Sequence, residues 1–201
     1  MSTQTQQRYD EAAIEAVPDL PIVTITRDFR ATPAQLMRAH ADPELFVKWI
    51  GPDAVEARID HWDFRSLGSY RYVAVHGEDE HGFRGTFPAV TDDKIVQTFA
   101  WEGMPEAIAL ETMWFEDLGD GRTRLHAQSV CDSIEGRDGM LASGMEVGVH
   151  EGYAKLDRLL RNIPSRPSIE SHSDCACSRV RPSPRSSNHM VSSAIASGMP
   201  S

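Results

Sequence analysis

Residues 139–163 read GMLASGMEVGVHEGYAKLDRLLRNI, and this spacing predicts one long amphipathic helix at the C-terminal end of the folded part. At about 100° per residue, Leu141, Met145, Val149, Gly152, Leu156, Leu159, Leu160 and Ile163 fall on one narrow arc. Glu146, His150 and Asp157 fall outside it, toward water. Gly144, Gly148 and Gly152 recur every fourth residue beside the apolar edge. Glycine costs a helix interior about 1 kcal/mol relative to alanine, so three of them need a reason. Either the backbone comes close to a sheet, or room is left beneath the helix. A membrane-spanning reading fails, because Glu146, Glu151, Lys155, Asp157, Arg158 and Arg161 occupy the polar face.

Outward from this helix the chain punctuates itself. Residues 1–20 are polar and end among prolines; a turn of helix fits Glu11–Ala16, but the stretch reads as a flexible lead-in. Ile22–Phe29 alternates β-branched residues and predicts the first strand. Thr32-Pro33 supplies a capping hydroxyl followed by proline at the first helical position, so a helix covers Pro33–Ala41. Asp42-Pro43 repeats the signal for a second short helix through Leu45, Phe46 and Trp49, and Gly51-Pro52 stops it. Strands are predicted near Val55–Phe64, Ser69–His76, Gly82–Val90, Lys94–Trp101, Ile108–Phe115 and Thr123–Cys131. Their separators are short and rich in Gly, Asp and Pro, which suits antiparallel hairpins. The order is strand, two helices, six strands, long helix. It predicts an α+β domain over residues 21–163, with an antiparallel sheet that carries the helices on one face. Residues 164–201 are dominated by Ser, Pro and Arg without apolar period, and predict a disordered tail.

The totals exclude several classes. The formal net charge is −10. Four arginines against two acids in the tail leave the acidic character to the folded domain. A general nucleic-acid binder is therefore not expected, nor an acidic-membrane binder. No apolar run reaches membrane-spanning length, and the N-terminus lacks a signal-peptide core. Three cysteines, two of them in the tail, make a poor disulfide framework and point to a reducing cytoplasm.

Six local signatures in order carry a resemblance. Lys48-Trp49-Ile50-Gly51-Pro52 is similar to the W-x-G-P turn of the START-like SRPBCC superfamily, in its branch similar to activator of heat-shock protein 90 ATPase. Asp63–Arg71 resembles that branch's D-x-R-x-G-G-x-Y-R hairpin, with Leu67 where the first glycine is usual. Phe83-Arg84-Gly85 resembles its F-x-G strand, and Asp93–Trp101 its R-I-V-x-T-x-x-W strand. Gly121–Leu125 resembles G-x-T-x-L, and Glu151–Leu159 resembles E-G-W-x-x-x-L-D-x-L with Tyr153 for the common tryptophan. The likeness spans about Ile22 to Ile163. It implies a helix-grip fold: a curved antiparallel sheet around a long C-terminal helix, with two short helices after the first strand. It also implies a cavity for apolar or amphipathic small molecules. Members include polyketide cyclases or aromatases and stimulators of the chaperone's ATPase, so fold alone does not settle function.

Candidate cavity walls are the aromatic residues Trp49, Tyr70, Tyr72, Phe87, Phe99, Trp101 and Trp114, together with Met113. From the helix come Met145, Gly148, Val149 and Tyr153. A filled core would use the same residues, and which sheet face is concave stays open. Glu111 inside ALETMWF reads as a surface residue or cross-strand partner, although a buried carboxylate there would have a raised pKa and could move protons. His126 alternates with Arg124 and Gln128, which places it on a solvated face. Cys131 reads as a packed thiol. His76 and His81 flank an acidic turn, and Cys175, Cys177 and His172 lie in the tail; neither group makes an organised metal site. No phosphate loop, dinucleotide fingerprint or nucleophile elbow is present, so no cofactor and no metal are expected. The expected function is capture of a small apolar or amphipathic molecule by a cytoplasmic monomer or homodimer. A cyclase or aromatase-type enzyme is the first alternative, and a chaperone-binding activator is the second.

Overall fold

The computed structural model describes residues 11–163. The predicted tail, with Cys175, Cys177 and His172, and the first ten residues lie outside them. The strands are β1 Ala13–Ala16, β2 Ile22–Phe29, β3 Glu56–Trp62, β4 Gly68–His76, β5 Asp79–Phe87, β6 Ala89–Val90, β7 Lys94–Trp101, β8 Ile108–Gly119 and β9 Arg122–Val130. The helices are α1 Pro33–Ala41, α2 Pro43–Phe46, α3 Ile134–Ala142 and α4 Met145–Leu160. All strand pairs are antiparallel, in the order β1-β2-β9-β8-β7-β5-β4-β3, with β6 also on β7. Mixed α+β architecture with an open antiparallel sheet and C-terminal helices is thus the fold, as the element order predicts.

The short helices start where the sequence signals them. Thr32 caps α1 through Gln35, whose side chain returns to the Thr32 backbone N–H at 2.8 Å in a reciprocal capping box. Asp42 accepts from the Glu44 N–H at 2.9 Å to start α2. Gln35 also donates to the carbonyls of Leu160 and Ile163. One side chain therefore ties α1 to the C-terminal end of α4.

Two expectations need correction. The predicted helix over 139–163 is two helices. Gly144 stands at φ +84° between them and caps α4 in a left-handed conformation. Apolar periodicity runs through this break, because Met140 and Leu141 pack on the same core as Met145 and Val149. The lead-in is not wholly free either. Ala13–Ala16 forms an edge strand paired with Val23–Thr26. Its backbone bonds come from a partner strand, which local propensity does not report.

The core lies between the concave sheet face and the helices. Val23, Phe29, Leu36, Phe87, Ile95, Leu125 and Leu156 are its largest fully buried apolar side chains. α4 buries Gly152, Tyr153, Leu156 and Leu160, from its middle to its C-terminal end.

Candidate ligand cavity

The sheet and helices do not close completely on one another. A cavity of about 920 Å³ remains between the concave face, the turn after α2, and α3–α4. Such a volume is at the upper end of what small-molecule sites occupy. β4 contributes Tyr72, β5 Phe87, β7 Phe99 and Trp101, and β8 Met113. Trp49 comes from the turn after α2, and Met145, Gly148, Val149 and Tyr153 come from α4. All ten of these predicted wall residues surround one space, and Tyr70 joins them. Trp114 does not. It follows Met113 on the same strand, so it must face the other way, and it lies on the convex face stacked on His126 at 4.8 Å.

The walls are ordered by ring packing. Tyr72 stacks on Phe83 at 5.2 Å and Phe83 on Phe99 at 5.4 Å, so one aromatic ladder crosses β4, β5 and β7. Tyr70 donates its hydroxyl to the Thr98 carbonyl at 2.9 Å. Trp49 donates its indole N–H to the Ala39 carbonyl at 2.9 Å, and Trp62 likewise to Ala41 at 2.8 Å. These bonds leave the rings as fixed surfaces.

The turn after α2 is clamped on α4. The Asp53 N–H donates to the Glu151 carboxylate at 2.7 Å, and Lys155 donates to the Pro52 carbonyl at 3.0 Å. Gly51 is at φ +75°. A β-carbon at Gly152 would stand 2.9 Å from the Trp49 carbonyl oxygen. The W-x-G-P and E-G signatures are therefore two halves of one junction. A β-carbon at Gly148 would meet only Pro52, at an ordinary 3.7 Å.

Polar groups are few and grouped. Gln97, Glu111 and Ser129 are consecutive cross-strand partners on β7, β8 and β9, and all three line the cavity. Gln97 donates to Glu111 at 2.7 Å. Burial pushes the Glu111 carboxyl above its usual range, and the Gln97 bond opposes the rise. The hydroxyls of Tyr70, Tyr72 and Tyr153 are raised chiefly by burial and further by the Glu111 charge. Glu111 is thus on the cavity and not on the solvated side. Ala109, Glu111, Met113 and Phe115 alternate on one face, and that signal is present in the sequence.

His40 is a polar group on the cavity that sequence reasoning missed. Its ring lies 4.8 Å from Trp49 and 5.3 Å from Phe115. Nδ1 is 2.8 Å from the Leu36 carbonyl, which can only accept, so Nδ1 carries the proton. Burial holds its pKa down to about 4, against the smaller effect of that bond. Nε2 is left as a buried acceptor without a partner. His126 lies away from the cavity, 2.9 Å from Glu116. Cys131 is at the cavity edge, and burial together with Asp132 and Glu111 raises its thiol, so it rests protonated. Among the described residues no group of His, Cys, Asp and Glu is placed to hold a metal ion, and no helix is long and apolar enough to cross a membrane.

Residues 30–161 match the family model described as activator of Hsp90 ATPase homolog 1-like protein. A crystal structure of a Rhodobacter sphaeroides protein is 23% identical with TM-score 0.69, covering 76% of this chain and 100% of that one. A crystal structure of a Mycobacterium smegmatis protein is 21% identical with TM-score 0.67, over 76% and 98%. A solution structure from Arthrobacter aurescens is 20% identical with TM-score 0.69, over 80% and 97%. At these identities the likeness is one of fold. No curated protein matches the chain.

Proposed function

The chain belongs to the activator of Hsp90 ATPase homolog 1-like family, and from that premise we propose that it is a binding module for a small hydrophobic or amphipathic molecule. The observation that carries this reading is the cavity of about 920 Å³ with aromatic walls and one polar band. Aromatic and aliphatic surface facing an unfilled space favours an apolar ligand at about 25 cal/mol per Å² removed from water. Walls pinned by indole and phenol hydrogen bonds lower the ordering cost of capture. The same reading takes the protein as cytoplasmic, with neither nucleic acid nor membrane as partner. The test is native mass spectrometry of protein purified without detergent, then of the same sample denatured, with N-phenylnaphthylamine fluorescence as a second readout. A mass excess lost on denaturation, or saturable dye binding, is expected. A bare mass together with no dye binding refutes the reading.

A second reading, an enzyme of cyclase or aromatase type, is favoured by Glu111 and Tyr153 standing on the cavity. A carboxyl with a raised pKa can hold or move a proton beside a bound chain. If so, Glu111→Gln retains capture but leaves the captured molecule unconverted. Identical captured masses in wild type and variant would refute catalysis by Glu111.

A further inference from the structure

Resting on the ligand-binding reading, we infer that the cavity selects a hydrophobic amine, held with its ammonium group at Glu111, over a hydrophobic acid of the same shape. The first ground is the charge inventory of the lining. No lysine and no arginine contributes to it. Its acids are Glu111 within and Asp132 and Glu135 on the exposed rim. Its histidines are His40, held neutral by burial, and His81 near Trp101. A carboxylate or phosphate head would meet like charges on the lining, while the arginines felt there, Arg27 at Tyr153 and Arg137 at Cys131, are not part of it, and Arg137 is already committed to Val17, Leu20 and Asp138. An ammonium head meets the opposite situation.

The second ground is what the buried polar atoms lack. Gln97 serves one oxygen of Glu111, Oε2. His40 Nε2 has no partner at all. Both are acceptors. The buried Ser129 hydroxyl, cross-strand from Glu111, is without a partner as well and can also accept, so a donating ligand suits all three groups. An ammonium group brings three donors. The third ground is the wall itself. Tyr72, Phe83 and Phe99 form a continuous ladder of rings in the same cavity, and ring faces attract cations. The rim acids add steering for a cationic solute during entry.

The test is displacement of the neutral dye N-phenylnaphthylamine from the full chain at about pH 7, where an alkylammonium is protonated. The competitors are dodecylamine, dodecanol and dodecanoate, matched in chain length. Dodecylamine should displace the dye at about tenfold lower concentration than dodecanoate, with dodecanol between, as a charge-assisted contact predicts. Glu111→Gln should still bind the dye, which reports an intact cavity, and should bring the amine and acid to within about threefold of one another. Dye binding with the acid preferred, or an amine preference unchanged in Glu111→Gln, overturns the inference and leaves the cavity reading standing. Absence of dye binding to wild type overturns the cavity reading and the inference with it.

Discussion

Gly148 and Gly152 are one helical turn apart on α4, yet alanine should act on them with opposite sign. In a helix interior each Gly→Ala change gains about 1 kcal/mol of propensity. At Gly148 nothing opposes the gain, since the added carbon meets Pro52 at 3.7 Å, an ordinary contact. At Gly152 the added carbon stands 2.9 Å from the Trp49 carbonyl oxygen and 3.4 Å from that of Gly51. These are backbone atoms in a turn held by two bonds to the same helix, so the turn must shift as a unit. Overpacking of that kind costs about 1–3 kcal/mol, which leaves a net loss of up to about 2 kcal/mol after the propensity gain. A domain of this size moves in Tm by roughly 2–4 °C per kcal/mol. Thermal unfolding by circular dichroism should therefore show Gly148→Ala about 2–4 °C above wild type and Gly152→Ala up to about 8 °C below it. If Gly152→Ala melts at or above wild type, the junction between the two signatures is not close-packed. If Gly148→Ala melts below wild type, the space beside that glycine is not open.

Other outcomes follow from single side chains. His40 has a folded pKa of about 4 against an ordinary 6.5, so the unfolded chain binds the proton first. Stability should fall as pH drops from about 6.5 to about 4, by up to about 3 kcal/mol, and the slope should be missing from urea titrations of His40→Phe. Glu111 has the opposite sign: its raised folded pKa means stability is full below about 4.5 and declines as pH rises, so Glu111→Gln should gain on wild type progressively above that pH. A constant gap across the pH series would show that Glu111 is well solvated. Gln35→Leu removes the capping-box acceptor and the donor to Leu160 and Ile163, and should cost about 1–2 kcal/mol in chemical denaturation. Leu67 is 85% exposed at φ +67°, where the family hairpin usually has glycine. Leu67→Gly should therefore stabilise by about 1 kcal/mol, and a loss would mean the side chain makes a contact of value.

The sequence made local elements legible wherever the cause is local. Thr32-Pro33 and Asp42-Pro43 place α1 and α2 because capping acts within four residues. β7 spans Lys94–Trp101 as its alternation predicts. What escaped depends on partners or on backbone sign. β1 exists through β2, and the break at Gly144 leaves the apolar period intact. The cavity walls were named largely because aromatic residues on alternating strands must face something. Met113 and Trp114 could not both do so, and only the pairing with β7 and β9 decides between them. Glu111 reads from sequence as a surface residue or a cross-strand partner; it is the partner of Gln97, and its neighbours at 109, 113 and 115 place that pair on the inner face. His40 had no such pattern around it, since its ring is trapped between residues of α2's following turn and β8.

α4 is anchored unevenly. From Glu151 onward it is held by Gly152, Leu156 and Leu160, and by the contacts of Glu151 and Lys155 with the turn. Its first turns follow a left-handed glycine, leave Val147 54% exposed, and reach the core through the partly buried Met145 and Val149. Met145, Gly148 and Val149 of this lighter-held part line the cavity, together with Gly152 and Tyr153. Lifting the first turns, together with the preceding α3, therefore breaks fewer buried contacts than lifting the rest of the helix. Room for a longer occupant would thus be made at the start of α4 before it was made at the clamped end.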